Sequence, residues 1–287
     1  MSAGAFSLEA TRPKREEIEA LRGILRPGTA VYLSSVSSQD NAAQIAAARR
    51  VRDAGLEPVP HLAARRFADK ATLQDYLKRM RDDTDVCCVM LIGGDKDTPE
   101  GLFATALAVI ESGLLEQAGI EDIGLAGYPE GHPKVSDAEL EAALNAKLAA
   151  ARKAGLRAHI VSQFCFDPNR VLAWLNGLRA RGIDVPVRVG MVGPTKFRTM
   201  LRYAKRCGVG ASVRGLWNSG AFWALLGTPH PGRMIRALQA PGPDNVAPHL
   251  FSFGGIVETA RYLRAAEDNS AGYDRKPANA AAPMPQR

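Results

Sequence analysis

Polar side chains that could take part in chemistry follow the apolar segments of this sequence at regular intervals. They are Glu9, Ser34, His61, Asp95, Tyr128, Glu130, His132 and Gln163. The set contains carboxylates, imidazoles, a phenol and an amide, which can transfer protons or hydrogen-bond a ligand. It contains no nucleophile paired with a neighbouring base. The set therefore favours acid–base chemistry on a bound small molecule.

The sequence carries no recognisable metal or nucleotide motif. His61 and His132 have no metal-ligand spacing to the acids, and Gly93-Gly94-Asp95 lacks the G-x-G-x-x-G pattern of dinucleotide-binding loops. The four cysteines, Cys87, Cys88, Cys165 and Cys207, show neither C-x-x-C nor zinc spacing. We therefore expect no metal site, and reduced thiols in a reducing cytoplasm.

The composition is that of a soluble globular protein of 287 residues, with 46% hydrophobic and 23% charged side chains. No stretch approaches the roughly 20 apolar residues of a membrane span, and the N-terminus lacks an apolar signal core. The formal charge is +7 and the pI about 9.4. Because the basic residues are spread over helices beside acids, the charge favours a dinucleotide or a polyglutamylated ligand over nucleic acid. A homo-oligomer is expected only on general grounds.

Strand-like and helical segments alternate along the chain. Strands are predicted at residues 5–9, 30–34, 57–61, 86–92, 122–127, 158–162, 185–191 and 249–253. Helices are predicted after Pro13 and at about 41–54, 70–81, 100–115, 136–154, 168–181, 194–206 and 256–266. This α/β alternation predicts a single-domain (β/α)8 TIM barrel over residues 1–267. Residues 268–287 lack periodicity and are predicted to be a disordered tail.

Two segments fit this alternation less well. The strand at 57–61 contains Pro58 and Pro60, so we expect it to be short and irregular. Residues 207–247 are rich in glycine and proline, and we expect helical turns and loops there. Neither segment changes the count of strands, so the barrel prediction stands.

In a barrel of this type the active site lies at the carboxyl ends of the strands, where the polar candidates fall. The segments that carry them resemble the methylenetetrahydrofolate reductases. Residues 127–133, Gly-Tyr-Pro-Glu-Gly-His-Pro, resemble the signature after the family's fifth strand, and residues 163–167 resemble its Gln-Phe-Phe-Phe-Asp stretch. The N-terminal pattern of the family is matched at Phe6, Ser7, Glu9, Pro13 and Lys14. With Pro60-His61-Leu62 and Gly94-Asp95 in family order between them, the resemblance spans about residues 5–265.

The resemblance implies an oxidoreductase that interconverts 5,10-methylenetetrahydrofolate and 5-methyltetrahydrofolate, with hydride passing from NADH or NADPH through FAD. Glu9 would be the general acid that opens the folate ring, a role that requires a raised pKa. Asp95 would lie between flavin and pterin and contact the folate, and Gln163 would hydrogen-bond the pterin edge. The expected FAD-binding residues are Ser34, His61, Gly94, Ala126, Tyr128 and His132.

The sequence departs from the family pattern at several positions. Gly93 stands where the family commonly has arginine, and Ala10-Thr11 replaces an aromatic pair. The helix after His132 should carry basic contacts to the FAD phosphates, but the segment has about two extra turn residues, and Lys147 is not assigned to that role. Residues 207–247 bear little likeness to the family. Within them, Trp217 or Phe222 is the expected stacking surface for folate or nicotinamide.

The sequence leaves three functions open. The first is the flavin-dependent reductase, working in either direction. The second is direct hydride transfer between nicotinamide and folate, which the loss of the arginine at Gly93 favours. The third is a non-catalytic folate-binding barrel that acts with a methyltransferase, which the acid at Glu9 disfavours because binding alone does not need it.

Overall fold

Eight parallel strands form a closed barrel in which each strand pairs with its neighbours in sequence and β8 returns to β1. The computed structural model describes residues 6–35, 40–196, 198–200, 202, 231–239 and 245–273. The strands are β1 (Ser7–Ala10), β2 (Ala30–Leu33), β3 (Glu57–Ala63), β4 (Cys88–Ile92), β5 (Asp122–Gly127), β6 (Arg157–Phe164), β7 (Val187–Val192) and β8 (Val246–Phe251). The predicted (β/α)8 fold is confirmed.

Helices pack against the outside of the barrel. They are α1 (Arg15–Leu21), α2 (Asn41–Asp53), α3 (Lys70–Thr84), α4 (Ala106–Glu111), α5 (Leu114–Gln117), α6 (Asp137–Lys153), α7 (Pro168–Ala180), α8 (Gly232–Gln239) and α9 (Ile256–Tyr273). Asp40, Asp69 and Ser136 each accept a hydrogen bond from the first turn of the helix that follows. Asp167 caps α7 ahead of Pro168, as the sequence predicts.

The third strand is longer and more regular than its prolines predict. β3 spans seven residues, with Pro58 and Pro60 inside it. The Glu57 N–H donates to the Thr29 carbonyl, on the β2 side of the strand. Because successive residues of a strand direct their backbone groups to opposite sides, those of Pro58 and Pro60 face β4. Because β4 pairs with β3 only from His61 onward, the missing proline N–H groups cost no ladder hydrogen bond.

The segment predicted as a single helix at 100–115 contains two short helices. α4 and α5 are separated by Ser112 and Gly113. Gly113 has a φ of 73°, a left-handed conformation that glycine adopts readily and that interrupts the helix. The strand at the chain end also shifts, since β8 begins at Val246 rather than at residue 249.

The last helix ends at Tyr273 rather than at about 266, so it crosses the predicted domain end at residue 267. Arg26 forms an ion pair with Glu267, which ties this part of α9 to the loop after α1. The rest of the predicted tail, residues 274–287, lies outside the described residues. The same holds for residues 203–230, which include Cys207, Trp217 and Phe222.

Buried hydrophobic side chains form one large cluster between strands and helices, a second cluster inside the barrel, and a third that contains Phe164, Val192 and Met200. The inner cluster contains Ala30, Tyr32, Val59, Cys88, Met90 and Val161. Polar side chains share this interior with it, namely Ser7, Glu9, His61, His159, Arg188 and His249. Most barrels of this type are filled by branched apolar residues. This barrel instead holds a polar layer beneath its mouth, and that layer contains the candidate site.

Candidate active site

Glu9 lies at the mouth of the barrel, where β1 pairs with β2 on one side and β8 on the other. Ser34 Oγ, just beyond β2, donates a 2.6 Å hydrogen bond to Glu9 Oε1. Thr11 Oγ1 donates in turn to Ser34 Oγ at 3.0 Å. Only 13% of the Glu9 side chain is exposed. The carboxylate is therefore fixed in place, while one edge stays accessible to a ligand.

Two histidines flank the same carboxylate oxygen. His61 Nε2 and His249 Nε2 each lie 3.4 Å from Glu9 Oε2. The His249 contact has hydrogen-bond geometry, and His249 Nδ1 lies 2.9 Å from Ser7 Oγ. The His61 contact does not, so His61 Nε2 is buried without a hydrogen-bond partner among the described residues. Ser7 and His249 thus support the Glu9 carboxylate through hydrogen bonds, and His61 lies against the same carboxylate oxygen.

Burial alone would raise the pKa of the Glu9 carboxyl. The electrostatic interaction with His61 and the hydrogen bond from His249 oppose burial, and together they hold the pKa of Glu9 well below its usual range. The expectation of a raised pKa at Glu9 is therefore wrong, because it treated the barrel mouth as apolar. In this structure Glu9 is ionised near neutral pH.

A second polar chain lies beneath the first. The Tyr32 hydroxyl is 2.7 Å from His159 Nε2 and hydrogen-bonds the Arg188 guanidinium. Arginine can only donate, so the hydroxyl accepts from Arg188 and its own proton is available to His159. The ring of Tyr32 meets that of His249 edge to face at 4.7 Å. Tyr32 therefore connects the buried cation to the histidine that holds Glu9.

Gly124 on β5 gives the His159 ring its space. A Cβ at Gly124 would lie 2.6 Å from Met90 Sδ and 3.0 Å from His159 Nε2. Met90 is flexible and can move, whereas His159 is held by Tyr32. For Gly124→Ala we expect a loss of about 1–3 kcal/mol in the free energy of unfolding, measured in urea. Gly93→Ala is the control, since nothing lies within 4 Å of its Cβ, and an equal loss in both variants would contradict this account.

The loop after β5 brings together three of the predicted ligand-binding residues. The rings of Tyr128 and His132 meet edge to face at 5.4 Å. Gln163, at the end of β6, donates a 3.2 Å hydrogen bond from Nε2 to the Gly131 carbonyl. Burial raises the pKa of Tyr128 and lowers that of His132, so both are neutral near pH 7. The loop thus offers uncharged rings and one amide oxygen.

A cleft of about 430 Å³ lies beside this loop, between β5, α6 and α7. The side chains that line it include Ala126, Tyr128, Glu130, Asp137, Leu140, Glu141, Leu144, Arg170, Trp174 and Arg181. Arg181 Nε already pairs with Glu141 at 3.1 Å. Three carboxylates therefore face two guanidinium groups. Lys147, also on α6, does not line this cleft.

Asp95 and Gly94 follow β4 and lie apart from the Glu9 cluster in their contacts. Asp95 is exposed to solvent, three residues after the end of the strand. Gly94 has a φ of 102°, and a Cβ there would lie 3.2 Å from Ala63 Cβ on β3. The roles predicted for Asp95, Gly94 and Ala126 thus stay predictions, while the structure unites Glu9, Ser34 and His61 in one cluster.

A family model described as methylenetetrahydrofolate reductase matches residues 5–213, which is more than half of the chain. The chain belongs to the methylenetetrahydrofolate reductase family. Its matched region includes β1 with Glu9, β3 with His61 and the Tyr128 loop. His249 on β8 lies beyond it.

The chain is similar to the 5,10-methylenetetrahydrofolate reductase of Pectobacterium carotovorum, at 28% identity over 64% of this chain and 58% of that protein. The reductase of Salmonella typhimurium is 27% identical over 66% of this chain and 63% of that protein. The chain thus spans less than two thirds of these family members. Dihydropteroate synthase from Thermus thermophilus shares the fold, with a TM-score of 0.54, 16% identity and 94% coverage of both chains.

Reasoning from sequence missed four residues of the polar layer, Tyr32, His159, Arg188 and His249. The two-residue alternation of strand side chains contained the signal. Tyr32 lies two positions before Ser34, and His249 lies on the strand that closes the barrel beside Glu9. The residues predicted from the sequence lie at or just beyond the strand ends, whereas these four lie one step deeper in the barrel.

In the described part of the chain, His, Cys, Asp and Glu side chains nowhere gather in a group of three that could hold a metal ion. Across the same residues, no helix is long and apolar enough to cross a membrane.

Proposed function

We propose that this protein interconverts 5,10-methylenetetrahydrofolate and 5-methyltetrahydrofolate, with NADH or NADPH as the hydride source. The observation that carries this proposal is the buried Glu9 carboxylate, held by Ser34 and His249 and faced by His61. Family membership supports the folate substrate. A binding barrel without catalysis has no use for a carboxylate tuned by two imidazoles at its mouth.

In the reducing direction a proton must reach N10 of the folate, so that its bond to the methylene carbon breaks. The N5 iminium that results accepts hydride at carbon and becomes the methyl group, while the dihydronicotinamide is oxidised. Glu9 is the side chain placed to pass this proton. Because Glu9 is ionised here, it must take up a proton before it can deliver one to N10. In the reverse direction the ionised Glu9 accepts the proton directly.

The family resemblance implies FAD as a hydride relay, and the described residues suit only part of it. The rings of Tyr128 and His132 offer contacts for an isoalloxazine. The diphosphate would lie against the helix after His132, which is α6. There the cleft presents Asp137 and Glu141, with carboxylates outnumbering guanidinium groups. Gly93 also stands where the family commonly has a cationic arginine. The residues of this cleft and of the β4 end therefore do not fit the diphosphate of FAD.

This mismatch favours the second candidate, direct hydride transfer from nicotinamide to folate. The experiment is an absorbance spectrum of the purified protein, taken after incubation with FAD and removal of the excess. We expect no flavin band and steady oxidation of NADH or NADPH with methylenetetrahydrofolate. A flavin band near one per chain, with turnover that requires it, would reverse the choice between the two candidates. A protein that turns over neither with nor without FAD would be the non-catalytic barrel instead.

A further inference from the structure

Arg188 brings a charged guanidinium into the barrel interior, below the Glu9 cluster. Only 6% of the residue is exposed. On β7 it lies two positions before Gly190, which is the register partner of His249 on β8. Because side chains two positions apart share one face of a strand, Arg188 points into the barrel as His249 does. Two residues of rise and one strand spacing place the Cα atoms of Arg188 and His249 about 8 Å apart.

The charge of Arg188 is not needed for its hydrogen bond to Tyr32. The Tyr32 hydroxyl accepts this bond, and the neutral amide of a glutamine could donate it equally well. A buried charge costs more free energy than a buried neutral donor, and a guanidinium does not lose its proton in proteins. The reason for a permanent charge at this position must therefore lie in the groups on which the charge acts.

His249 lies between a negative and a positive group. Burial lowers the pKa of its imidazole, the Glu9 carboxylate opposes this effect, and the charge of Arg188 adds to it. His61 acts in the same direction as Arg188, but an imidazole carries a charge only when it is protonated. The titratable and charged groups that face His249 are Glu9 on β1, Tyr32 on β2, His61 on β3, His159 on β6 and Arg188 on β7. Arg188 contributes its positive charge at every pH.

A neutral His249 fits its two hydrogen-bond partners in one tautomer. An ionised carboxylate can only accept, so His249 Nε2 carries the proton and faces Glu9 Oε2 at 3.4 Å. Nδ1 then accepts a hydrogen bond from Ser7 Oγ at 2.9 Å. An imidazolium at His249 would instead form an ion pair with Glu9, which would hold the carboxylate ionised. Glu9 could then not take up the proton that it passes to N10.

We propose that Arg188 is a positioning residue for this reaction: its charge keeps His249 a neutral hydrogen-bond donor, which leaves Glu9 able to take up the proton that N10 requires. The inference rests on the proposed function. Arg188 acts through His249 and does not contact the folate. The proton comes from water at the exposed edge of the Glu9 carboxylate. The effect belongs to the reducing direction, and it grows as the pH falls, because an imidazole gains its proton there.

The first measurement is a pH titration of the imidazole nitrogens by 15N NMR, with His249 identified by its absence from His249→Gln. Arg188→Gln removes the charge and keeps a donor for Tyr32, whereas Arg188→Lys keeps the charge. Arg157→Gln is the control, because Arg157 begins the neighbouring strand β6 and pairs with Glu121 and Asp122 instead. We expect His249 to gain its proton at a higher pH in Arg188→Gln than in the wild type. Arg188→Lys and Arg157→Gln should titrate like the wild type.

The second measurement is turnover of methylenetetrahydrofolate at pH 6 and pH 8 on the same proteins. A unit charge about 8 Å away inside a protein changes a proton-binding equilibrium by roughly tenfold or more. We therefore expect Arg188→Gln to turn over about tenfold more slowly than the wild type at pH 6. At pH 8 the two rates should lie close together, because His249 is neutral in both proteins. A purely structural role of Arg188 would lower turnover by the same factor at both pH values.

An unchanged His249 titration in Arg188→Gln would overturn the proposal, and so would a loss of turnover that is equal at pH 6 and pH 8. If Arg188→Gln does not fold, the wild type decides. A His249 that gains its proton at or above the ordinary histidine pKa of about 6.5 would show that Arg188 does not keep it neutral. A wild type without turnover in either direction would remove the proposed function, while the NMR titration would still decide whether Arg188 acts on His249.

Discussion

Replacement of Glu9 by glutamine is expected to lower turnover of methylenetetrahydrofolate by about 10²–10⁴-fold, the usual contribution of a general acid or base. Glutamine keeps the size of the side chain and can still hydrogen-bond Ser34 and His249, but it cannot carry the proton to N10. Binding of 5-methyltetrahydrofolate should change little, because glutamine keeps the size and the hydrogen-bonding capacity of the Glu9 side chain. The measurement is steady-state turnover together with calorimetric binding on the same preparation.

Glu19→Gln is the matched control. Glu19 is an exposed acid on α1 that pairs with Arg15, so its replacement removes the same charge from the same part of the chain. A Glu9→Gln variant that turns over at the wild-type rate would contradict the role assigned to Glu9. A variant that loses folate binding along with turnover would make Glu9 a binding residue rather than an acid. Circular dichroism of both variants separates either result from loss of the fold.

The fold was predictable because its signal repeats along the chain. Each apolar strand is followed by a helix with a local start signal, such as Asp167 before Pro168. The failures have a tertiary cause. From sequence alone, the prolines of β3 look incompatible with a regular strand. They are tolerated because β3 pairs with β4 only from His61 onward, beyond both prolines. The extent of α9 depends on an ion pair with Arg26, more than 200 residues away in sequence.

The candidate site was predictable where one strand end carries one polar residue, as at Glu9, Ser34 and His61. The pKa shifts and the charge distribution of the site could not be predicted from the sequence, because they depend on contacts between distant strands. His61 and His249 together lower the pKa of Glu9 against the effect of burial, and His249 is 240 residues away from Glu9 in sequence. Likewise, the charge of the Tyr128 cleft follows from α7 meeting α6, where Arg181 pairs with Glu141. No local pattern contains such pairs.

The polar layer inside the barrel makes this protein sensitive to acid through His159. Burial and the nearby charge of Arg188 lower the pKa of His159 from 6.5 to about 3. Between those two values the unfolded chain binds a proton at this residue and the folded chain does not. The contribution of His159 to stability is therefore greatest above about pH 6.5 and falls as the pH decreases. From pH 7.5 to pH 5, His159 alone should remove about 2 kcal/mol from the free energy of unfolding.

His159→Gln isolates this contribution, since a glutamine can accept the Tyr32 hydrogen bond but does not titrate. Urea unfolding at pH 7.5 and pH 5 should show a smaller acid loss in the variant than in the wild type, by about 2 kcal/mol. Tyr32→Phe is the control, because it weakens the same contact yet keeps the imidazole, and its acid loss should equal that of the wild type. His249 and Glu9 also have lowered pKa values, but they are present in all three proteins and cancel in the comparison. Equal acid losses in His159→Gln and the wild type would mean that His159 is protonated inside the folded barrel, with Arg188 displaced from it.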